Sequence, residues 1–206
     1  MKMKKQQAAR RPSTRHLPQA HEVRIIGGLY KRTKLPVVNK PGLRPTPDRV
    51  RETLFNWLGH DLTGWNCLDA FAGTGALGLE AVSRGASQVQ LVETQATLTA
   101  QIQLLVTRLG ASGVRVVRGD GVAAIRQSQP DSLDLVLIDP PFDSDLFEPA
   151  LMAAAQAIKL NGFVYLEAPL HWNDAQLALL RLQTYRYLKA GAVHAHLLHR
   201  LGHAPV

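Results

Sequence analysis

From Asn66 onward the chain alternates short apolar runs with longer helical patterns, and no other feature limits its fold as much. The runs lie at 67–70, 89–92, 114–117, 133–138 and 163–166, each of strand length. Between the second and third, Leu98, Ile102, Leu105, Val106 and Leu109 recur at steps of 4, 3, 1 and 3, a helix with one buried face. This is the βαβ rhythm of an α/β, doubly wound, mostly parallel sheet, whose ligands bind outside the carboxyl ends of the strands. Residues 184–198 read as two further strands around Gly191, an antiparallel hairpin that brings the sheet to seven strands.

A length of 206 residues with 46% apolar residues fits one domain of ordinary density. The single Cys67 rules out an intramolecular disulfide and points to a reducing compartment such as the cytosol. No apolar run approaches the roughly 20 residues that span a bilayer. The net charge of +8 is unevenly placed: residues 1–60 carry 14 Lys and Arg against 3 Asp and Glu, and residues 61–206 carry 10 against 13. A basic front on a mildly acidic body reads as a polyanion-binding arm, the alternative being a solubilising tail or a transit peptide.

Three regions are expected. Residues 1–20 hold too little apolar surface to offset ordering entropy and read as a disordered basic tail. Residues 21–60 read as a short hairpin, with strands within 23–30 and 34–38, and then a helix that Thr46 can cap with Pro47 at its first position. Val50, Leu54, Trp57 and Leu58 form its apolar stripe, and Arg49, Arg51 and Glu52 fall outside it. Residues 61–206 form the ligand-binding α/β domain. Lys31, Arg32, Lys34, Lys40, Arg44, Arg49 and Arg51 interleave with Tyr30 and Pro-rich loops, a composition suited to phosphate contact. Lys31, Arg32, Arg44 and Arg49 are the leading candidates for contact with a nucleic-acid backbone.

The first strand ends in Asp69-Ala70-Phe71-Ala72-Gly73-Thr74-Gly75-Ala76-Leu77-Gly78, followed by a helix. Glycines at 73 and 75 let the backbone turn sharply near a ligand, and the helix presents unpaired N–H groups to it. Gly73, Gly75 and Gly78 also fit the dinucleotide fingerprint, with Glu93 at the end of the next strand where a ribose-binding acid belongs. The loop alone admits NAD or S-adenosylmethionine. Asp69 favours the second, because a carboxylate there suits a cationic amino-acid moiety and repels a pyrophosphate. Asp120, after the third strand, could accept from an adenine amine or cap the helix that follows.

The strand at 133–138 leads into Asp139-Pro140-Pro141-Phe142, the most specific short signal in the chain. Two prolines stop the strand and stiffen an acceptor-rich corner. A nucleobase amine is a poor nucleophile because its lone pair is delocalised into the ring. With its N–H bonds aimed at the Asp139 carboxylate and the Pro140 carbonyl, the lone pair is directed at an electrophilic methyl, and developing positive charge is stabilised. Phe142 offers a stacking face for a base drawn out of its helix. Neither a metal nor a covalent nucleophile is required.

The Asp69 to Gly75 loop, Glu93 and the Asp139 to Phe142 corner resemble the motifs of class I S-adenosylmethionine-dependent amino-methyltransferases, which have Rossmann-like sheets. Arg24-Ile25-Ile26-Gly27-Gly28, the run from Gly42 to Asn56 and Arg84-Gly85-Ala86 extend the resemblance to the RsmD family of bacterial 16S rRNA guanine-N2 methyltransferases, over roughly residues 22–200. The resemblance implies methylation of one guanine in 16S rRNA, within the small ribosomal subunit or an assembly intermediate. It also implies cofactor binding by Asp69, Phe71, Gly73, Thr74, Gly75, Glu93 and Asp120, and amine binding by Asp139, Pro140, Pro141 and Phe142. A cytoplasmic monomer without metal or membrane association is expected. The competing readings are an amino-methyltransferase of adenine or cytosine, a NAD-linked oxidoreductase and a non-catalytic RNA-binding factor. His194 and His196 share a strand face but have no acid or cysteine close in sequence, and with His199 they read as exposed strand residues. Trp57, Trp65 and Trp172 read as core or rim packing.

Overall fold

The computed structural model describes residues 23–36 and 47–202. A two-stranded hairpin comes first, β1 (Val23–Arg24) against β2 (Lys34–Leu35), and then helix α1 (Asp48–Trp57). Thr46, the expected cap, lies outside the described residues, and Pro47 stands at the N-cap position. The α/β unit follows in the order β3 (Asn66–Asp69), α2 (Ala76–Ser83), β4 (Gln88–Glu93), α3 (Ala96–Leu109), β5 (Val114–Arg118), α4 (Gly121–Gln127), β6 (Leu133–Ile138), α5 (Phe147–Ala157), β7 (Ile158–Ala168), α6 (Asp174–Leu179), β8 (Leu182–Ala190) and β9 (Val193–Arg200).

The seven main strands form one sheet in the order β5-β4-β3-β6-β7-β9-β8, with β9 antiparallel to both neighbours and the other pairings parallel. This is the expected doubly wound sheet. Strand order reverses between β3 and β6, the switch point at which such sheets bind ligands. β7 starts five residues before its apolar run, with a register shift beside Leu133. Gly162 allows it, since a Cβ there would lie 2.8 Å from the Leu133 carbonyl oxygen.

Alternation along the strands splits the core. Leu79, Leu91, Ile102, Leu137 and Tyr165 pack on one face, and Leu68, Val136, Leu151, Val164 and Leu198 on the other. The N-terminal extension shares the first core through Val23, Ile25, Leu35, Leu54 and Phe55. Arg51 corrects the helix reading. It is fully buried, so it lies inside the apolar stripe and not on a charged face. One of its amino groups donates to Asp48 and to the Arg24 carbonyl, and the other lies 3.6 Å from the buried Glu80.

Candidate active site

The turn after β3 is held from three sides. Gly73 and Gly75 take φ of +53° and +80°, a conformation that side chains disfavour. Ala72 N–H donates to the Val92 carbonyl and Gly73 N–H to Glu93 Oε2 (2.9 Å), which ties the loop to the end of β4. The other Glu93 oxygen accepts from Gln95 N–H (2.8 Å) and the Thr94 hydroxyl (3.2 Å). Glu93 is thereby oriented at the carboxyl edge with both oxygens fixed, an acceptor pair that fits a ribose diol beside a glycine turn. Thr74 is half-buried in the same turn.

Asp69 occupies a different place from the one expected. Its carboxylate is buried and accepts from Gly78 N–H (2.9 Å), so it braces the first turn of α2. The reason is the close approach of α2 to the sheet at Gly78, where a Cβ would lie 2.6 Å from Leu91. Burial pushes the Asp69 carboxyl up to about 7 and the nearby Glu93 charge adds to this, against the N–H groups of Gly78 and Phe71. Phe71 is half-buried where α4 begins, and Gly121 there is pressed so close that a Cβ would meet the Ala70 carbonyl oxygen at 2.1 Å. Of the two readings of Asp120 the structure shows the cap: Oδ1 accepts from Ala123 N–H at 2.7 Å. The residue is exposed at the mouth of a cavity of about 390 Å³ beneath α4, lined also by Val92, Arg115, Val117 and Gln127.

The Asp-Pro-Pro-Phe corner stands beside the glycine loop. Asp69 is in register with Leu137 and Ala70 N–H donates to the Leu137 carbonyl, so Phe71 and Asp139 leave adjacent strands at the same level, ~4.8 Å apart. Asp139 is half-buried and Pro140 buried, while Pro141 and Phe142 are exposed. The Pro141 carbonyl closes the turn by accepting from the Ser144 backbone (3.0 Å) and hydroxyl (2.6 Å). Behind Asp139, the Tyr165 hydroxyl donates to the buried Glu167 at 2.8 Å. Burial and the charges of Glu167 and Asp139 hold the Tyr165 hydroxyl well above its ordinary range. Neither residue was singled out from the sequence. The available signal was an acid at the end of an apolar strand, Leu166-Glu167-Ala168.

Residues 23–199 match the family described as conserved hypothetical protein 95. Ribosomal RNA small subunit methyltransferase D of Haemophilus influenzae is 42% identical over 151 residues, covering 71% of this chain and 78% of that protein. The chain belongs to the RsmD family. Its Escherichia coli namesake is 46% identical over 127 residues, 62% of this chain, and the match spans 64% of that relative's length. A solved structure of a candidate methyltransferase from Escherichia coli superposes with a TM-score of 0.74 at 36% identity, covering 87% of this chain and 98% of that one. The resemblance read from the motifs therefore holds.

In this RsmD-family chain the basic front is spread along the molecule. Leu29 and Tyr30 N–H groups bond to Ser83 at the far end of α2, which puts the hairpin tip with the exposed Lys31 and Arg32 ~12 Å from the glycine turn. Arg51 of α1 lies 3.6 Å from Glu80 of α2, and Leu62, past the end of α1, bonds to Arg84. The exposed Arg49 stands in the first turn of α1. Arg44 and Lys40 fall outside the described residues.

The histidine reading also needs correction. His196 and His199 are buried, because β9 is an interior strand between β7 and β8. Trp172 N–H donates to His196 Nε2 at 3.2 Å, which assigns the ring proton to Nδ1. Among the described residues no group of three or more His, Cys, Asp or Glu side chains is arranged to hold a metal ion.

Burial lowers the His196 pKa to about 4, helped by His171, while burial raises that of Asp69 to about 7. The two oppose each other in one pH window. A raised carboxyl contributes stability that is complete below its unfolded value of 3.8 and is lost as pH rises through about 7. A depressed imidazole contributes stability that is complete above 6.5 and is lost as pH falls through about 4. At about 1.4 kcal/mol per unit, each amounts to roughly 3–5 kcal/mol. Asp69→Asn should therefore unmask a stability that climbs from pH 4 to 6.5, whereas the wild type stays comparatively flat. Urea midpoints across that range test this, and parallel profiles for the two proteins would contradict it.

Proposed function

We propose that this chain transfers a methyl group from S-adenosylmethionine to the exocyclic N2 amine of a guanine in 16S rRNA, acting in the cytoplasm as a monomer on the small subunit or an assembly intermediate. The observation that carries the reading is the level placement of Phe71 and Asp139 on paired strands, which sets a ligand-gripping turn beside an amine-accepting corner. The motifs, and relatives called small subunit rRNA methyltransferases, support it.

S-adenosylmethionine, when bound, supplies an electrophilic methyl group on a sulfonium centre. Glu93 accepts the ribose hydroxyls, the Gly73–Gly75 backbone gives close approach, and Asp120 at the cavity mouth takes the adenine amine. Asp69 positions the turn from behind. The Asp139 carboxylate and the Pro140 carbonyl accept the two amine N–H bonds and fix the direction of the lone pair. Pro141 holds the corner closed through Ser144, and Phe142 stacks on the extruded base. Arg44 and Arg49 neutralise phosphates near that base, while Lys31 and Arg32 reach a more distant stretch of RNA. Residues 21–60 thus serve as the RNA-contacting part, 61–206 as the cofactor-binding part, and the basic residues 1–20 as an accessory tail.

Purified protein should bind S-adenosylmethionine and not NAD in calorimetry. It should also incorporate labelled methyl into small subunits that lack the modification, giving N2-methylguanosine on nucleoside analysis. Methyladenosine or methylcytidine as product would replace the substrate assignment. NAD binding without methyl transfer would replace the enzyme class.

A further inference from the structure

A second basic and aromatic element lies at the other end of the chain from the basic front. From Ala175 to Val206 there is no Asp or Glu, against Arg181, Arg186, Lys189 and Arg200. Arg200 is taken up by Asp131 and by backbone carbonyls, but Lys189 and Tyr187 project from β8, the outermost strand. They stand opposite His194 and His196 in register. His194 is level with Ala168, at the carboxyl end of β7.

Four rings meet there. His171 stacks on His196 (5.4 Å, 14°) and packs on Tyr187 (4.5 Å), whose hydroxyl is hydrogen-bonded to His194 Nδ1 (2.7 Å). His171 is exposed and Tyr187 is 39% exposed, so part of this stack faces solvent. Ile138 is in register with Leu166, which sets Pro140 level with Ala168 and hence with His194. At ~4.8 Å per strand the rings begin about 10 Å from the corner and end about 14 Å from it. That is the span of three or four stacked nucleotides at ~3.4 Å each. The rings lie on the sheet face covered by α5, the helix into which the chain turns after Phe142.

We propose that His171, Tyr187, Lys189 and His194 form a rim that binds the unpaired RNA flanking the target nucleotide, an inference that rests on the methyltransferase reading. Tyr187 and His171 offer the stacking surface, which tolerates any base because every base has a π face. Lys189 supplies the phosphate contact, and the hydrogen bond to His194 fixes the tilt of the Tyr187 ring. The buried His196, its proton assigned by Trp172, backs the stack as a neutral ring.

The test is equilibrium binding of the full-length protein to small ribosomal subunits lacking the modification, across a salt series, beside methyl transfer by the wild type. Tyr187→Ala should weaken binding by about 5- to 150-fold, the range of single base–aromatic stacks. Tyr187→Phe should stay within twofold of wild type. Lys189→Ala should reduce the salt slope by about 0.7. Unchanged S-adenosylmethionine binding by each variant shows that the fold is retained. Binding unchanged in both Tyr187→Ala and Lys189→Ala, with normal methyl transfer by the wild type, overturns the rim and leaves the enzyme assignment standing. Weakened binding in the variants with no transfer by the wild type supports the rim as an RNA surface and overturns the enzyme assignment.

Discussion

Asp139→Ala is expected to lower methyl transfer by at least about 10³-fold at saturating small subunits, with the dissociation constant for S-adenosylmethionine changed less than threefold. The two quantities separate because the residues that would grip the cofactor are built on other strands. Glu93 is fixed by Gly73 and Gln95 at the end of β4, and the glycine turn is tied to Val92 and braced by Asp69. Asp139 leaves β6, the strand beside β3, in register with the turn. The loss falls on the chemical step because a carboxylate facing an aromatic amine does its work as positive charge develops on nitrogen. A preorganised group of this kind contributes on the order of 10²–10³ in rate. Removing it also leaves the lone pair undirected. Asp139→Asn keeps a carbonyl acceptor and loses the negative charge, so it should fall between the alanine variant and the wild type. Single-turnover transfer and calorimetry on the same preparations decide the matter. A turnover for Asp139→Ala within tenfold of wild type would sink the amine-orienting role.

Strand positions were legible because strands packed on both faces read as short, mostly apolar runs. The run at 133–138 and the observed β6 coincide, and the Gly191 turn of the terminal hairpin lies between β8 and β9 as read. The site was legible at its backbone devices, where glycines at φ above +50° and a double proline carry information in single residues. Side-chain direction was not. Asp69 and Arg51 are polar letters whose partners, Gly78 and Glu80, are identified only by how closely α2 packs on the sheet and on α1. Likewise His196 is buried because β9 lies inside the sheet, and strand order is a tertiary fact that local pattern does not carry. The acid-free stretch after Asp174 was present in the sequence, but charge counted over the whole body concealed it.

Glu80→Ala should cost about 3–5 kcal/mol of stability, the range for breaking a buried ion pair and leaving one charge without compensation. Glu80 is fully buried and accepts from Ile26 N–H (2.7 Å), Gly27 N–H (2.8 Å) and both the Nε and an amino group of Arg84 (2.9 Å each). Arg51, also fully buried, lies 3.6 Å away, and its other anionic partner, Asp48, is about half exposed. Truncating Glu80 leaves the Arg51 guanidinium in an apolar surrounding with one screened partner, and strips two backbone donors of their acceptor. The same carboxylate pins Ile26–Gly27 to α2, so the hairpin carrying Lys31 and Arg32 should loosen before the sheet does. Proteolysis should then quicken within 26–33 while S-adenosylmethionine binding persists at low temperature. The charge argument has its own control. Arg51→Met combined with Glu80→Leu removes the Arg51 charge together with Glu80 and fills their volume, and should recover the part of the loss due to the stranded Arg51, while Arg84 and the Ile26 and Gly27 N–H groups still lack their acceptor. Denaturant midpoints of the single and double variants measure this. A loss below about 1 kcal/mol for Glu80→Ala, or a double variant no more stable than it, would show that the network does not anchor the N-terminal extension.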